Sequence, residues 1–367
     1  MKFLIAPNAF KGTIEAEKAA WIIQDAILNE LSDAELEICP IADGGDGTCL
    51  LLGKQLNLTV YKFAALNPIG RPVPGFVFLN KSQRTAYLDV STVSGIKWLK
   101  SHEVEARVTS SFGTGELILK AMEEGAQHLV LGLGGSATVD MGTGILRAMG
   151  FVFLDQRGRE IPMFSPGFLS RIAHIQRPVK PLSVRFTCLC DVRNSFFGKE
   201  GAIPVFGPQK GLKPEDLNKY EQDARHFFDL LRSKSDFDLV DQAGFGAAGG
   251  IALGLSAFFS VKIEEGAKFF FDQVEMERKI EKADWIITGE GKYDAQSAGG
   301  KGSFELLQLA KNHGKQIILI TSGMEGGKSG FDEVIRLKDL DFKSADFKEQ
   351  AEKNLYEGVS VFIREKI

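Results

Sequence analysis

Aspartates, glutamates, lysines and glycines recur together in this chain, in short loops that each follow an apolar run. Ala42-Asp-Gly-Gly-Asp-Gly-Thr48 sets two carboxylates, Asp43 and Asp46, among glycines that include Gly44 and Gly45. Hard oxygen donors in that pattern suit a magnesium–phosphate site or a sugar hydroxyl. The loop is too short for an EF-hand and lacks the glutamate that would close one. Thr288-Gly-Glu-Gly-Lys-Tyr-Asp294 repeats the theme with Glu290 and Asp294. In Gly132-Leu-Gly-Gly-Ser-Ala-Thr138, Gly134 and Gly135 let the backbone turn sharply and approach a ligand. Ser136 or Thr138 there can cap the helix that follows, whose free N–H groups would face an anion. Taken alone, that stretch reads equally well as a βα turn that binds nothing; the recurrence of the design shifts the balance.

Three further positions add charge at loop mouths. Lys11 stands in Asn8-Ala-Phe-Lys-Gly-Thr13, just before a helix N-terminus, where it is placed to neutralise an anion. Lys210, in Phe206-Gly-Pro-Gln-Lys-Gly211, exposes an amine beside an amide. Asp191 ends an apolar run at residues 184–192, where open α/β sheets place ligands. Histidine contributes little, since none of the five falls in a strand-end glycine loop. A serine hydrolase lacks its GxSxG elbow, and hydride transfer lacks GxGxxG after the first strand. Carboxylates, glycines and lysines together suit phosphoryl transfer, which rests on positioning and charge neutralisation. Gly323-Met-Glu-Gly-Gly-Lys-Ser329 resembles a Walker A loop but is one residue short between its glycines, so the expected chemistry is a kinase without a P-loop.

The elements that must carry these loops follow from periodicity. Apolar runs at residues 3–6, 36–41, 128–133, 184–192, 284–288 and 315–321 read as strands. Helices are expected at 14–30 with Thr13 as N-cap, at 49–55, after the glycine turn at 109–116 with a stop at Gly125, at 214–231, and at 342–356 ahead of an apolar run at 359–363. Between residues 58 and 90 the pattern alternates around turn residues and predicts antiparallel hairpins. That change of rhythm predicts a domain crossing, and the chain of 367 residues is long enough for two cores.

Composition narrows the class. An apolar fraction of 44%, a charged fraction of 25% and 40 glycines in clusters fit a globular α/β protein with glycine-lined loops. A net charge of -4, with no long basic run, argues against nucleic acid. The N-terminal apolar run is too short for a signal peptide and no run reaches membrane-spanning length. Cys39, Cys49, Cys188 and Cys190 lack metal-site spacing and read as buried reduced thiols, so a cytoplasmic protein is expected.

Seven of these motifs occur in an order that resembles the class I glycerate kinase family: Ala6-Pro-Asn-Ala-Phe-Lys-Gly12, Ala42 to Thr48, Ser111-Phe-Gly-Thr-Gly-Glu116, Gly132 to Thr138, Phe206 to Gly211, Gly246-Ala-Ala-Gly-Gly250, and Thr288 onward to Ser297. The resemblance implies ATP-dependent phosphorylation of D-glycerate to 2- or 3-phosphoglycerate with Mg²⁺. It implies two α/β domains: a Rossmann-like parallel-sheet domain built from both chain ends, residues 1–75 and 275–367, and an inserted mixed α/β domain, residues 76–274, each boundary drawn to about 20 residues, with the active site in the cleft between them. On this reading Asp191 or Asp294 takes the hydroxyl proton, and Lys11 and Lys210 offset charge. Asn8, Asp43, Gly44, Gly45 and Asp46 bind substrate, Gly134, Gly135, Ser136 and Thr114 hold the nucleotide, and Glu290 and Asp43 are the metal candidates. The expected partner is the small molecule glycerate, with no nucleic acid and no membrane, and a homodimer stays open. Asn8 stands where the family usually has aspartate, and Val139 and Met141 replace an amide and a glycine. A kinase for another small hydroxy acid and a silent ligand-binding homologue are the alternative readings.

Overall fold

A computed structural model of the chain describes residues 1–293, 302–323 and 330–367. Its strands are β1 (Lys2–Ile5), β2 (Glu35–Ile38), β3 (Thr59–Leu66), β4 (Pro72–Asn80), β5 (Thr85–Asp89), β6 (His128–Gly132), β7 (Val152–Leu154), β8 (His174–Gln176), β9 (Arg185–Cys190), β10 (Ser260–Glu265), β11 (Trp285–Gly289), β12 (Gln316–Thr321) and β13 (Glu333–Arg336). They divide between two compact units, Met1–Asp43 with Gly266–Ile367, and Gly44–Glu265.

The first unit carries a parallel sheet in the order β13-β12-β11-β1-β2. Its central strands are nearly continuous apolar runs because both faces are covered. Alternation along each strand assigns the faces: Phe3, Ile5, Ile287, Ile318 and Ile320 share one core with Ile23 and Ile27 of the helix Ala16–Glu30 and with Leu355 and Val359 of the helix Phe347–Lys366. The helices Gly266–Gln273, Met276–Lys282 and Gly302–Asn312 pack on one another and on the central strands.

Two local expectations for this unit need correction. Thr13 does not cap the first helix: its hydroxyl donates to the Phe10 carbonyl at 2.8 Å, and the N-cap position is Glu15. The last helix runs from Phe347 to Lys366, so the apolar run at 359–363 is its own final turns and Phe342 lies outside it. From β1 the chain steps to β2 on one side, whereas from β11 it steps through β12 to β13 on the other. The junction of β1 and β11 is therefore the topological switch point, where open α/β sheets bind ligands.

The second unit carries a six-stranded mixed sheet, β10-β9-β6-β5-β4-β3. β10, β9, β6 and β5 pair in parallel, while β5, β4 and β3 form the expected antiparallel meander. Because β5 pairs with β6, the meander belongs to this sheet. The chain crosses at Asp43/Gly44, earlier than the expected 75, and at Glu265/Gly266, within 20 residues of the expected 275. All four cysteines are free and buried, and no helix among the described residues is long and apolar enough to cross a membrane.

Candidate functional site

In the first unit a pocket of about 300 Å³ lies over the carboxyl ends of the sheet. Every strand delivers part of its wall. Asp43 follows β2, Asn8 and Lys11 follow β1, and Glu290 and Lys292 follow β11. Ser322 follows β12, and Leu337, Leu340 and Phe342 follow β13. The pocket thus spans the switch point, with polar groups gathered on both sides of it.

Asn8 and Asp43 form a buried pair, 9% and 6% exposed. The Asn8 Nδ2 donates to Asp43 Oδ2 at 3.3 Å while its Oδ1 accepts from the Ala9 N–H at 2.7 Å, which fixes the amide with its donor toward the carboxylate. An aspartate at position 8 would set two carboxylates against each other there. The first residue of the helix Gly302–Asn312 lies beside the pair, with the Cβ position of Gly302 at 3.5 Å from Asn8 Nδ2 and 3.7 Å from the Asp43 Cβ. Glu290 is also buried, and its backbone N–H donates to the Ile320 carbonyl at 3.0 Å, which pins the acidic loop to β12. Lys11 is exposed at the rim.

In the second unit the loop after β6 meets residues 44–48. A Cβ on Gly134 would lie 2.3 Å from the Gly45 carbonyl carbon and 2.4 Å from the Asp46 nitrogen, so a close approach of two backbones requires that glycine. Gly135 has φ +70°, and a Cβ there would be 3.0 Å from the Asp46 carboxylate. Asp46 accepts from the Ser91 hydroxyl and lies 3.9 Å from the Lys97 ammonium. Thr48 ties the same loop by accepting from the Gly44 N–H at 3.1 Å and donating to the Gly45 carbonyl at 3.0 Å. Beneath it, the buried Asp89 accepts from the Cys49 and Leu50 N–H groups at 3.0 and 2.9 Å, holding the first turn of the helix Thr48–Gln55. Burial pushes Asp89 up to about 7, against the pull of those two N–H bonds.

Lys210 is buried in this unit, donating to the Ser136 hydroxyl at 2.7 Å and the Thr138 carbonyl at 3.0 Å. Burial pushes its ammonium down to about 8, opposed by the charge of Asp140. Neither Ser136 nor Thr138 caps the following helix, which begins at Thr143. Asp140 serves that end instead, accepting from the Gly142 and Gly144 N–H groups at 3.1 and 3.2 Å and from Ser111 N and Oγ at 2.8 Å each. Burial raises the Asp140 carboxyl above the ordinary range.

The expected site residues therefore sort into groups within each unit. Asn8, Lys11, Asp43 and Glu290 share the pocket of the first unit. In the second, Gly45, Asp46, Gly134 and Gly135 meet in one place, and Ser136 and Lys210 in another. Thr114 is fully buried, hydrogen-bonded to Ser94 at 2.7 Å between hydroxyl oxygens. Asp191 is exposed beyond the end of β9. Asp294 and all of the Walker-like stretch after Gly323, residues 324–329, lie outside the described residues. Sequence reasoning missed Asp89, legible only as an acid interrupting an apolar run, and Asp140, an N-cap residue type just ahead of Gly142.

The Glycerate kinase family profile matches residues 3–365. A glycerate kinase of Haemophilus influenzae is 35% identical over 87% of this chain and 85% of its own length. A glycerate 2-kinase of Escherichia coli is 31% identical over 88% and 86%. A crystal structure from Salmonella typhimurium LT2, assigned as glycerate kinase 2, superposes with a TM-score of 0.85 at 31% identity, covering 99% of this chain and 97% of that one.

Proposed function

The chain belongs to the glycerate kinase family of alcohol-group phosphotransferases, and from that premise we propose that it moves the terminal phosphoryl group of ATP onto one hydroxyl of D-glycerate, giving 2- or 3-phosphoglycerate. The observation that carries the reading is the polar cluster at the switch point, where Asn8, Lys11, Asp43, Glu290 and Lys292 line one pocket. Asp43, steadied by Asn8, and the buried Glu290 present carboxylate oxygens to a small polyol acid. Lys11 offsets charge on the carboxylate or on the phosphoryl group in transfer, which is where such catalysis gains most.

Mg²⁺ fits the same residues. Two buried carboxylates on opposite sides of the switch point, without a group of three metal-ligating side chains among the described residues, match an ion held by one or two carboxylates and substrate phosphates. Asp43 and Glu290 would hold it, and when bound it would neutralise charge between the phosphates. The proton of the attacking hydroxyl goes to Asp191 or Asp294, which must come within about 2.6–3.2 Å of that oxygen, directly or through a water. In the second unit, the Gly134, Gly135 and Ser136 N–H groups, with Lys210 on the Ser136 hydroxyl, are the nucleotide-phosphate donors of this reading. Four buried free thiols support a reducing, cytoplasmic setting.

The test is ADP release with ATP, Mg²⁺ and a panel of small hydroxy acids, with the product isomer assigned by phosphorus NMR. Turnover with D-glycerate above all other acceptors is expected. Turnover on another hydroxy acid alone would replace the substrate, and nucleotide binding without any ADP release would make the chain a silent homologue.

A further inference from the structure

The pocket of the first unit is longer than a three-carbon acid needs, and its wall changes character along the sheet. In the order β2, β1, β11, β12, β13 the strand ends present Asp43, then Asn8 and Lys11, then Glu290 and Lys292, then Ser322, and last a mainly apolar group that also carries Lys338. With strands roughly 4.8 Å apart, the five ends span about 19 Å. The β13 end is made by Leu337, Lys338, Leu340 and Phe342 with Ala351 and Asn354 of the last helix. Phe342 is 66% exposed, its ring 5.7 Å from that of Phe347. A large exposed aromatic beside a pocket offers a face to a planar ligand. Asn354 lines that end, and an amide carries both a donor and an acceptor for the edge of a base.

The geometry points to a nucleoside seat at the β13 end of this pocket, with the purine against Phe342, Leu337 and Leu340, its edge at Asn354, and the phosphates running past Ser322 and Lys292 toward Lys11. The polar end, at Asn8 and Asp43, is then left to the acceptor. This rests on the kinase reading above, adds the place of the base, and carries the phosphates along the first unit instead of the Gly134–Ser136 loop. A mostly apolar pocket of about 300 Å³ with a few convergent polar groups is of the size and make-up of a cofactor site. The order of its lining matches the order of the parts of a nucleoside triphosphate.

The experiment uses the full chain, with ADP titrated calorimetrically and ATP kinetics measured on Phe342→Ala and Asn354→Ala. Phe342 is exposed, so its truncation leaves the core intact. Loss of one base–aromatic stack is expected to weaken ADP binding and raise the KM for ATP roughly ten-fold, with kcat and the KM for the acceptor unchanged. Asn354→Ala is expected to narrow the preference for ATP over GTP, which a merely structural residue would not do. Unchanged ADP affinity and ATP KM in both variants, with Ser136→Ala alone raising the ATP KM, would overturn the seat and leave the kinase reading standing. A wild-type chain that binds no nucleotide would overturn both.

Discussion

Replacing Lys210 by methionine separates what that lysine does for the fold from what it does for the reaction. Its ammonium is held in the interior by the Ser136 hydroxyl and the Thr138 carbonyl, at about 8 against 10.5 for a free lysine. That difference is worth about 3 kcal/mol against the folded state at neutral pH. The sign follows from proton counts: between pH 8 and 10.5 the unfolded chain holds a proton that the native lysine has released. Stability from this group is therefore full above 10.5 and is lost as pH falls through 8, and the wild type should gain about 2 kcal/mol from pH 7 to pH 9.5. Lys210→Met abolishes that gain. At pH 7 it also removes the burial penalty while leaving the Thr138 carbonyl without its donor, a loss of about 1–3 kcal/mol, so the two nearly offset. Urea unfolding of both proteins at the two pH values measures the difference directly. Turnover of the variant should fall at least about a hundred-fold. Parallel stability changes in the two proteins would refute the buried-ammonium argument. Near-normal turnover would make Lys210 a purely structural residue.

Asp140→Ala strips the acceptor from three backbone N–H groups and the Ser111 hydroxyl, and urea unfolding should show a loss of about 3–5 kcal/mol; a loss under about 1 kcal/mol would refute the anchoring role. Gly134→Ala forces a Cβ to 2.3 Å from the Gly45 carbonyl carbon and should cost about 2–3 kcal/mol or more, whereas Gly12→Ala, with φ +82° and open space, should cost only about 1 kcal/mol. Equal melting temperatures for the two variants would contradict the contact. Asp89 is raised to about 7 in the fold, so its contribution to stability is full below about pH 4 and is lost as pH rises to 7. Asp89→Asn should flatten that slope, as read by denaturant midpoints across the range.

The parallel strands of the first unit were legible because strands buried on both faces are unbroken apolar runs, as at residues 3–6 and 315–321. The final helix was misplaced because its last turns, with Val359 and Ile363 buried and Val361 exposed, carry β-branched residues that break the look of a helix. Gly134 was legible as a position needing close approach, but the sequence could not say that another loop of the same unit makes that approach. Asn8, Lys11, Asp43 and Glu290 were each found from local motifs, and their meeting in one pocket needed the strand order. The apolar end of that pocket left no signal, since Leu337, Leu340 and Phe342 read as ordinary apolar residues until β13 is placed at the edge of the sheet.

The first sheet closes across the chain: β1 pairs with β11, Phe3 opposite Trp285. During synthesis β1 therefore waits, its inner edge unsatisfied, while the whole contiguous second unit leaves the ribosome and folds. At a synthesis rate of about 5–20 residues per second that wait is about a quarter of a minute to a minute. A bare apolar strand is a template for unwanted pairing during such an interval. The insertion thus sets a folding order for the protein, second unit first, and makes the N-terminal segment the part whose maturation depends on the last quarter of the chain.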